Sequence, residues 1–524
     1  MPEYDIIIIG AGASAAAAAL QLSEMGKKPM VIDVGLVPLH QIEDQKNLYT
    51  LKKTRDCTSF LVGDSLECFN SKKQVLPAKL KSPYFQYVTD DPRFFNVRQT
   101  NYNAITSYAK GGLGVAWGNG LMRFSNEDFE NFPIDFEDVL PFYKKLEAHI
   151  GISGTNDDLS PYFGNVENLQ EPLKLSKNSQ KIWNYYSKNR SHIQEKHISL
   201  GRPRIGVSAN AYGKRERCQY DNLEFWQPDH TSLYTPVMTL QELILHDKIV
   251  YKSGFFVDRW KEKEGKIEVI AYELASKQEH RFEAQKIIIA AGVVNTARIV
   301  LKSREDYKTK LKLTDNPAIQ FPFFFPGSFG KPLEEDSFGL TQLSMIYESK
   351  ILDKKVIGAF VEVTSPMRSE FFDKFPFPAS DNLNFMKYIL PGMMASQIFL
   401  PSDPEIYAEL SLTQANDVNI VGTGHAIPQP LIHEAVTVLR SLGLLTLEGF
   451  AYRVSHGNGI HYGGALPMSL NPSSAYETTI DGALPENKNV YIADGSTFNC
   501  IPATNYSLTL MANAMRIAKA CGMC

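Results

Sequence analysis

Residues 4–35 read YDIIIIGAGASAAAAALQLSEMGKKPMVIDVG, and this stretch decides the fold. Ile6 to Ile9 form an unbroken β-branched run, the pattern of a strand covered on both faces in a parallel sheet. Gly10 and Gly12 open a GxGxxG pattern, with Ala15 in the third glycine's place. The first glycine allows a tight turn and the second lets the backbone approach a pyrophosphate. A small third residue lets the helix pack closely on the strand. The alanine run favours helix and Gly26 is a natural stop. KPMVIDVG then predicts a second strand ending at Asp33, an acid spaced to accept from a ribose hydroxyl. Strand, glycine loop, helix, strand and acid in that order predict a dinucleotide-binding unit. A purely structural glycine turn is the bland alternative.

Working outward, 524 residues exceed one simple core, so two large domains, or one with a large insertion, are expected. Hydrophobic residues make up 44% and charged residues 21%, the balance of a globular protein. A formal net charge of −4 gives no broad basic field for nucleic acid or an anionic membrane. Cys57, Cys68, Cys218, Cys500, Cys521 and Cys524 are scattered, as reduced thiols usually are. Cys521 and Cys524 form a CxxC that reads as a frayed tail, and no metal site is expected. Glu3 and Asp5 stand where a signal peptide would carry positive charge. No run is long enough to span a bilayer, so a cytoplasmic protein is expected.

Residues 40–100 are mixed and broken by proline and glycine, and read as a long excursion with little regular structure. SYAKGGLGVAWGNG follows, with Gly111, Gly112, Gly114, Gly118 and Gly120. Such density implies backbone pressed against something flat or charged. A glycine-rich surface loop is the alternative, although Val115 and Trp117 are unusual choices for one. From Asp135, a plausible N-cap, Val139, Leu140, Tyr143, Leu146 and Ile150 recur at helical spacing until Gly151. The segment from Lys248 to Gly292 alternates and turns at short intervals, which predicts a β-meander. It ends in KIIIAAG, another buried strand of the first domain, followed by a helix. A mixed region from 305 to 455 is rich in proline and aromatic residues. It predicts a sheet with helices roofing a pocket, one helix running from about 428 to 447.

NVYIADGSTFNCIPATNYSLTLMANAMRIAKA, residues 489–520, closes the pattern. It predicts a strand ending at Asp494 and Gly495. A helix then begins near Asn505, with Leu508, Met511, Met515 and Ala518 along one face. About forty residues upstream, HYGGALPM places His461 beside Gly463 and Gly464.

Taken together, the chain resembles the glucose–methanol–choline (GMC) oxidoreductase family. The N-terminal glycine unit, GGLGVAWGNG, FPIDFEDVLPFYKKLE, KIIIAAGVVNTARIVLKS, HYGGALPM and the C-terminal strand and helix occur in the family's order. The resemblance implies an α/β fold. A Rossmann-like FAD-binding domain would comprise residues 1–125, 200–304 and 456–524. A substrate-binding domain built on an antiparallel sheet with helices would comprise 126–199 and 305–455. It implies His461 and Asn505 as the catalytic pair, of the family's His–Asn type, with small neighbours leaving room for a substrate carbon. Candidate cofactor contacts are Gly10, Gly12, Ala13, Ser14, Ala15, Asp33, Gly111, Gly112, Trp117, Gly118, Asn119, Val257, Ala291, Gly292, Asp494, Gly495 and Asn505. Val257 would meet the adenine part through its backbone. The covalently flavinylated branch carries a histidine where Ala116 stands, so non-covalent FAD is expected. Ala465, Ser469 and Tyr506 depart from the family's Thr, Gly and Pro. With the last departure, Tyr506 could reach the pocket.

The implied reaction is oxidation of an alcohol. Hydride passes to flavin N5 and His461 takes the hydroxyl proton, as a histidine can near neutral pH. Asn505 donates a hydrogen bond while remaining neutral. A sugar, glycoside or other secondary alcohol is the expected small-molecule substrate, and a lipid or sterol-like alcohol the alternative. The acceptor is oxygen or another oxidant. A non-catalytic flavin-fold binding protein is the reading from another class. His456 competes with His461 for the role of base, and His425 reads as structural or pocket-lining.

Overall fold

The computed structural model describes residues 3–38, 47–54, 61, 76–90, 94–228, 231–363, 375–424 and 427–523. His425, Cys57, Cys68 and Cys524 lie outside these. The opening stretch folds as strand β1 (Glu3–Ile9), helix α1 (Ala13–Glu24) and strand β2 (Met30–Ile32). β1 is central in an eight-stranded sheet and pairs in parallel with β2 on one side and β8 (Glu279–Ile289) on the other. β5 (Val250–Lys252) extends the parallel core beyond β2, and β21 (Asn487–Ile492) extends it beyond β8. β20 (Ala483–Leu484) caps that edge, while β6 (Phe255–Lys263) and β7 (Lys266–Glu273) complete the predicted meander onto β8.

The isoleucine run serves two cores at once, because successive strand side chains point to opposite faces. Ile6 and Ile8 pack under α1, α2 (Phe136–Ile150) and the C-terminal helix α8 (Ser507–Met523). Ile7 and Ile9 pack toward β6, β7 and α5 (Val293–Ser303). Leu508, Met511, Met515 and Ala518 of α8 are all buried. α2 starts at a capping box between Asp135 and Asp138 and ends at Gly151, φ 70°.

A second, six-stranded antiparallel sheet runs β16 (Tyr452–Arg453), β10 (Ala318–Phe324), β13 (Met393–Phe399), β12 (Lys354–Glu362), β11 (Thr341–Ser349) and β4 (Ile198–Gly201). α3 (Lys177–Gln194) and α7 (Gln429–Ser441) cover one face through Phe321, Phe323 and Phe360. Pro322 is tolerated in β10 because β16 reaches only Ile319 and Gln320, leaving that stretch an edge. α6 (Ala379–Ile389) covers one end of the opposite face with Met386 against Met393 and Ala395.

A third sheet runs β17 (Tyr462–Gly463), β9 (Leu311–Asp315), β14 (Ala408–Leu412), β15 (Val418–Gly422) and β3 (Val97–Thr100). It joins the two larger sheets and sets β17, just after His461, against β9. A small parallel pair, β18 (Met468–Ser469) with β19 (Thr478–Thr479), follows it. α4 (Pro236–Leu245) packs on α1.

Four expectations change. α2 belongs with the first core, because Val139, Phe142, Tyr143, Leu146 and Ile150 pack with α1 and α8. Likewise Leu311, Leu313, Leu410 and Ile420 pack with the nucleotide-type sheet, so boundaries at 126 and 305 cut through shared cores. α7 ends at Ser441 rather than near 447, since Gly443 adopts φ 77° and Leu445 turns back to bridge Phe324. Cys521 is not a frayed tail. It lies on the buried face of α8, 1% exposed, and its carbonyl accepts from Lys286 Nζ at 2.9 Å.

Candidate active site

A cavity of about 300 Å³ opens at the carboxyl ends of β1, β2, β8 and β21, where open α/β sheets bind ligands. Of the sequence candidates, Gly10, Gly12, Ala13, Ser14, Asp33, Gly112, Trp117, Gly118, Asn119, Val257, Ala291, Gly292, Asp494, Gly495, His461 and Asn505 all line it. Ala15 and Gly111 do not. Ala15 is fully buried between α1 and the sheet. Gly111, at φ 94°, faces Val115 and Val237 and serves the turn.

The two motif glycines have different reasons. Gly10 has φ 103°, and a Cβ there would stand 2.5 Å from the Ala290 carbonyl oxygen. A Cβ on Gly12 would meet no protein atom within 4 Å, and Gly12 lines the cavity. Its smallness therefore leaves room for an occupant. Gly112 lies behind it, with an ideal Cβ only 3.2 Å from Gly12 Cα. The N-terminus of α1 has no side-chain cap and no acidic residue in its first turn. Its amide end is thus left for an anion.

Asp33 sits beyond β2 and accepts weakly from the Tyr251 hydroxyl at 3.4 Å. Burial pushes its carboxyl up to about 7, against the pull of Tyr251 and Lys110. Lys110 lies 4.8 Å from the centre of the Tyr251 ring. Asp494 turns its carboxylate onto the start of α5, accepting from Gly292 N at 2.9 Å, Thr296 Oγ1 and Ser496 N. The Val257 carbonyl is engaged by the Arg298 guanidinium at 2.5 Å. Trp117 donates its ring N–H to the Tyr234 carbonyl at 3.0 Å. Asn119, at φ 57°, is buried, and its Oδ1 has no partner among the described residues.

His461 precedes β17 and follows Ile460, a β-branched residue held at φ 62°. Its ring lies between Phe399 of β13, centroids 5.0 Å apart, and Tyr506, 5.1 Å. Its Nδ1 is buried without a partner among the described residues. Burial pulls the imidazole down to about 4, only partly opposed by Asp315. His456 faces elsewhere, with Nδ1 3.4 Å from Asp315 Oδ1. Asn505 stands one residue before the cap position of α8, which is Tyr506, and its Oδ1 accepts from Ser507 N at 3.1 Å. Its Nδ2 lies toward Gly120, 3.5 Å from where a Cβ would stand.

Gly463 and Gly464 do not make room for substrate. A Cβ on Gly463 would strike the Gly495 carbonyl at 2.5 Å, and Gly464 has φ 83° against Phe498. They let the His461 segment lie on the Asp494–Gly495 turn. Sequence reading missed Tyr251, Lys110, Arg298 and Phe399, whose neighbours come from distant segments. Arg298 had one signal, a cation on the apolar helix after KIIIAAG.

No family model matches the chain, and no curated protein matches it. Solved structures do. The crystal structure of pyridoxine 4-oxidase from Mesorbium loti is similar to this chain, the match covering 99% of each. The TM-score is 0.63 at 12% identity. The chain therefore has that fold along its length, a Rossmann-like nucleotide-binding domain joined to a substrate-type domain.

Proposed function

We propose that this chain is an FAD-dependent alcohol oxidoreductase of the GMC family. One observation carries the reading. His461 and Asn505, from separate segments, meet on the same cavity as the N-terminal glycine unit. The donor set suits FAD. The α1 amide end and the space beside Gly12 suit a pyrophosphate, and Asp33 suits a ribose hydroxyl. When bound, FAD supplies the hydride acceptor at N5. Ala116 offers no histidine for covalent attachment, so binding is non-covalent.

His461 is uncharged near neutral pH and can accept the hydroxyl proton as the alcohol carbon gives up hydride. Asn505 Nδ2 orients the same oxygen, since its Oδ1 is committed to the α8 terminus. Phe399 and Tyr506 pack against the ring.

A sugar, glycoside or other secondary alcohol is the favoured substrate class. Gln397 shares a face of β13 with Phe399, and its half-buried amide meets that of Gln320 at 3.5 Å. Two partly exposed amides on the strand face that carries Phe399 suit a hydroxyl-rich molecule. A lipid or sterol-like alcohol is the second reading, favoured by Met386 and Met393 at the far end of that face. The similar oxidase is named for pyridoxine, so a ring-borne alcohol belongs in the assay. The acceptor is oxygen or another oxidant. We place the protein in the cytoplasm, from its scattered cysteines. Among the described residues no helix is long and apolar enough to cross a membrane.

The test is the visible spectrum under anaerobic conditions as sugars, aromatic alcohols and sterols are added. Bleaching of a yellow protein identifies the class, and air then separates oxidase from dehydrogenase. His461→Ala should retain FAD while its reduction slows by about 10²–10⁴-fold. Unchanged reduction would sink the assignment of the base.

A further inference from the structure

We propose that Phe399 and Tyr506 are positioning residues that clamp the His461 imidazole between two aromatic rings and seal its inner edge from water. The proposal rests on the reading of His461 as the base.

The two rings come from different elements. Phe399 ends β13 of the antiparallel sheet and meets His461 at 5.0 Å with planes tilted by 35°. Tyr506 stands just before α8 of the nucleotide-type domain and meets it at 5.1 Å in an edge arrangement, 65° between planes. Edge-to-face and offset contacts of this kind have definite orientations, so together they restrict rotation of the imidazole. Phe498 backs Tyr506 from the far side, with centroids 5.9 Å apart.

Tyr506 has a second grip. Its hydroxyl donates to the Ile460 carbonyl at 3.3 Å. Ile460 carries φ 62°, a conformation costly for a β-branched residue unless its surroundings impose it. One side chain thus packs against the base and braces the strained residue before it.

The sealed edge is Nδ1, buried and unpartnered among the described residues. With Nδ1 unpartnered, the charged ring has no acceptor there to offset its desolvation, which fits the downward pull that burial exerts on the imidazole. The charged and titratable groups around it are few. Asp315 of β9 raises its basicity, but that carboxylate is shared with His456 and Gly457 N. The Tyr462 hydroxyl of β17 is taken by the Ile105 carbonyl. Asp494 stands behind Tyr506 and Tyr102 beside Asp315.

The experiment is a pH titration of the histidine ring carbon resonances in the FAD-loaded protein. The chain has 11 histidines, and the signal missing from His461→Ala identifies the residue. In the unaltered protein and in Tyr506→Phe, that signal should stay constant from pH 8 down to about 5. In Tyr506→Leu and Phe399→Leu it should titrate nearer the ordinary 6.5. Retained flavin absorbance would show that each variant is folded. Wild-type titration in both leucine variants would overturn the clamp, as would an equal shift in Tyr506→Phe. Neither result depends on substrate, so the clamp can fail while His461 remains the base, and the reverse.

Discussion

Asp33 makes the residue-scale case for pH dependence. Its folded-state carboxyl is pushed up to about 7 from an ordinary 3.8. The folded protein therefore holds this proton where the unfolded chain has lost it. Without cofactor, its contribution to stability is full below about 3.8 and disappears as pH rises through about 7. If a ribose hydroxyl donates to this carboxylate, as proposed, FAD binding drives the proton off. Affinity for FAD, measured by fluorescence quenching, should rise from pH 5 to about 7 and then level. Asp33→Asn should bind more weakly and without that slope. A flat profile in the unaltered protein would separate Asp33 from the ribose.

At the scale of the element, the β1–α1 turn contains two glycines that fail in different ways. Gly10→Ala puts a Cβ at φ 103° and 2.5 Å from the Ala290 oxygen. It should destabilise the fold by about 3 kcal/mol or more, read as a lowered urea midpoint. Gly12→Ala meets no protein atom within 4 Å, so the midpoint should hold. FAD uptake should fall at least about tenfold, since the methyl enters the cradle. If Gly12→Ala binds FAD normally, the cradle is not where the pyrophosphate lies. Periodicity made these elements legible: the isoleucine runs, the apolar stripe of α2 and that of α8 all appear where expected. The end of α7 was missed because Leu442, Leu444 and Leu445 continue an apolar run past Gly443, which breaks the backbone.

Across the molecule, segments distant in sequence are held together by a few buried polar ties. Arg123 and Glu147 form a two-pronged pair at 2.6 Å, with side chains 5% and 6% exposed. Arg123 also donates to the Asn165 carbonyl, so the pair fixes α2 to the loops beside the antiparallel sheet. Glu147→Ala would leave a buried guanidinium uncompensated. A loss of about 3–5 kcal/mol in chemical denaturation is expected. A change below about 1 kcal/mol would mean that the arginine finds water.

The sequence alone determined the βαβ unit, the glycine loop, the terminal strand and helix, and the candidates His461 and Asn505. Each is written in local spacing, which backbone geometry converts directly into strand, turn or helix. Only the tertiary structure decided what those elements face. It placed α2 in the first core, because a stripe says which side is apolar and not what covers it. It turned Gly463 toward Gly495, set Tyr251 over Asp33 and brought Phe399 across 62 residues to the ring of His461. Those contacts arise where separate sheets pack, and no local pattern records them.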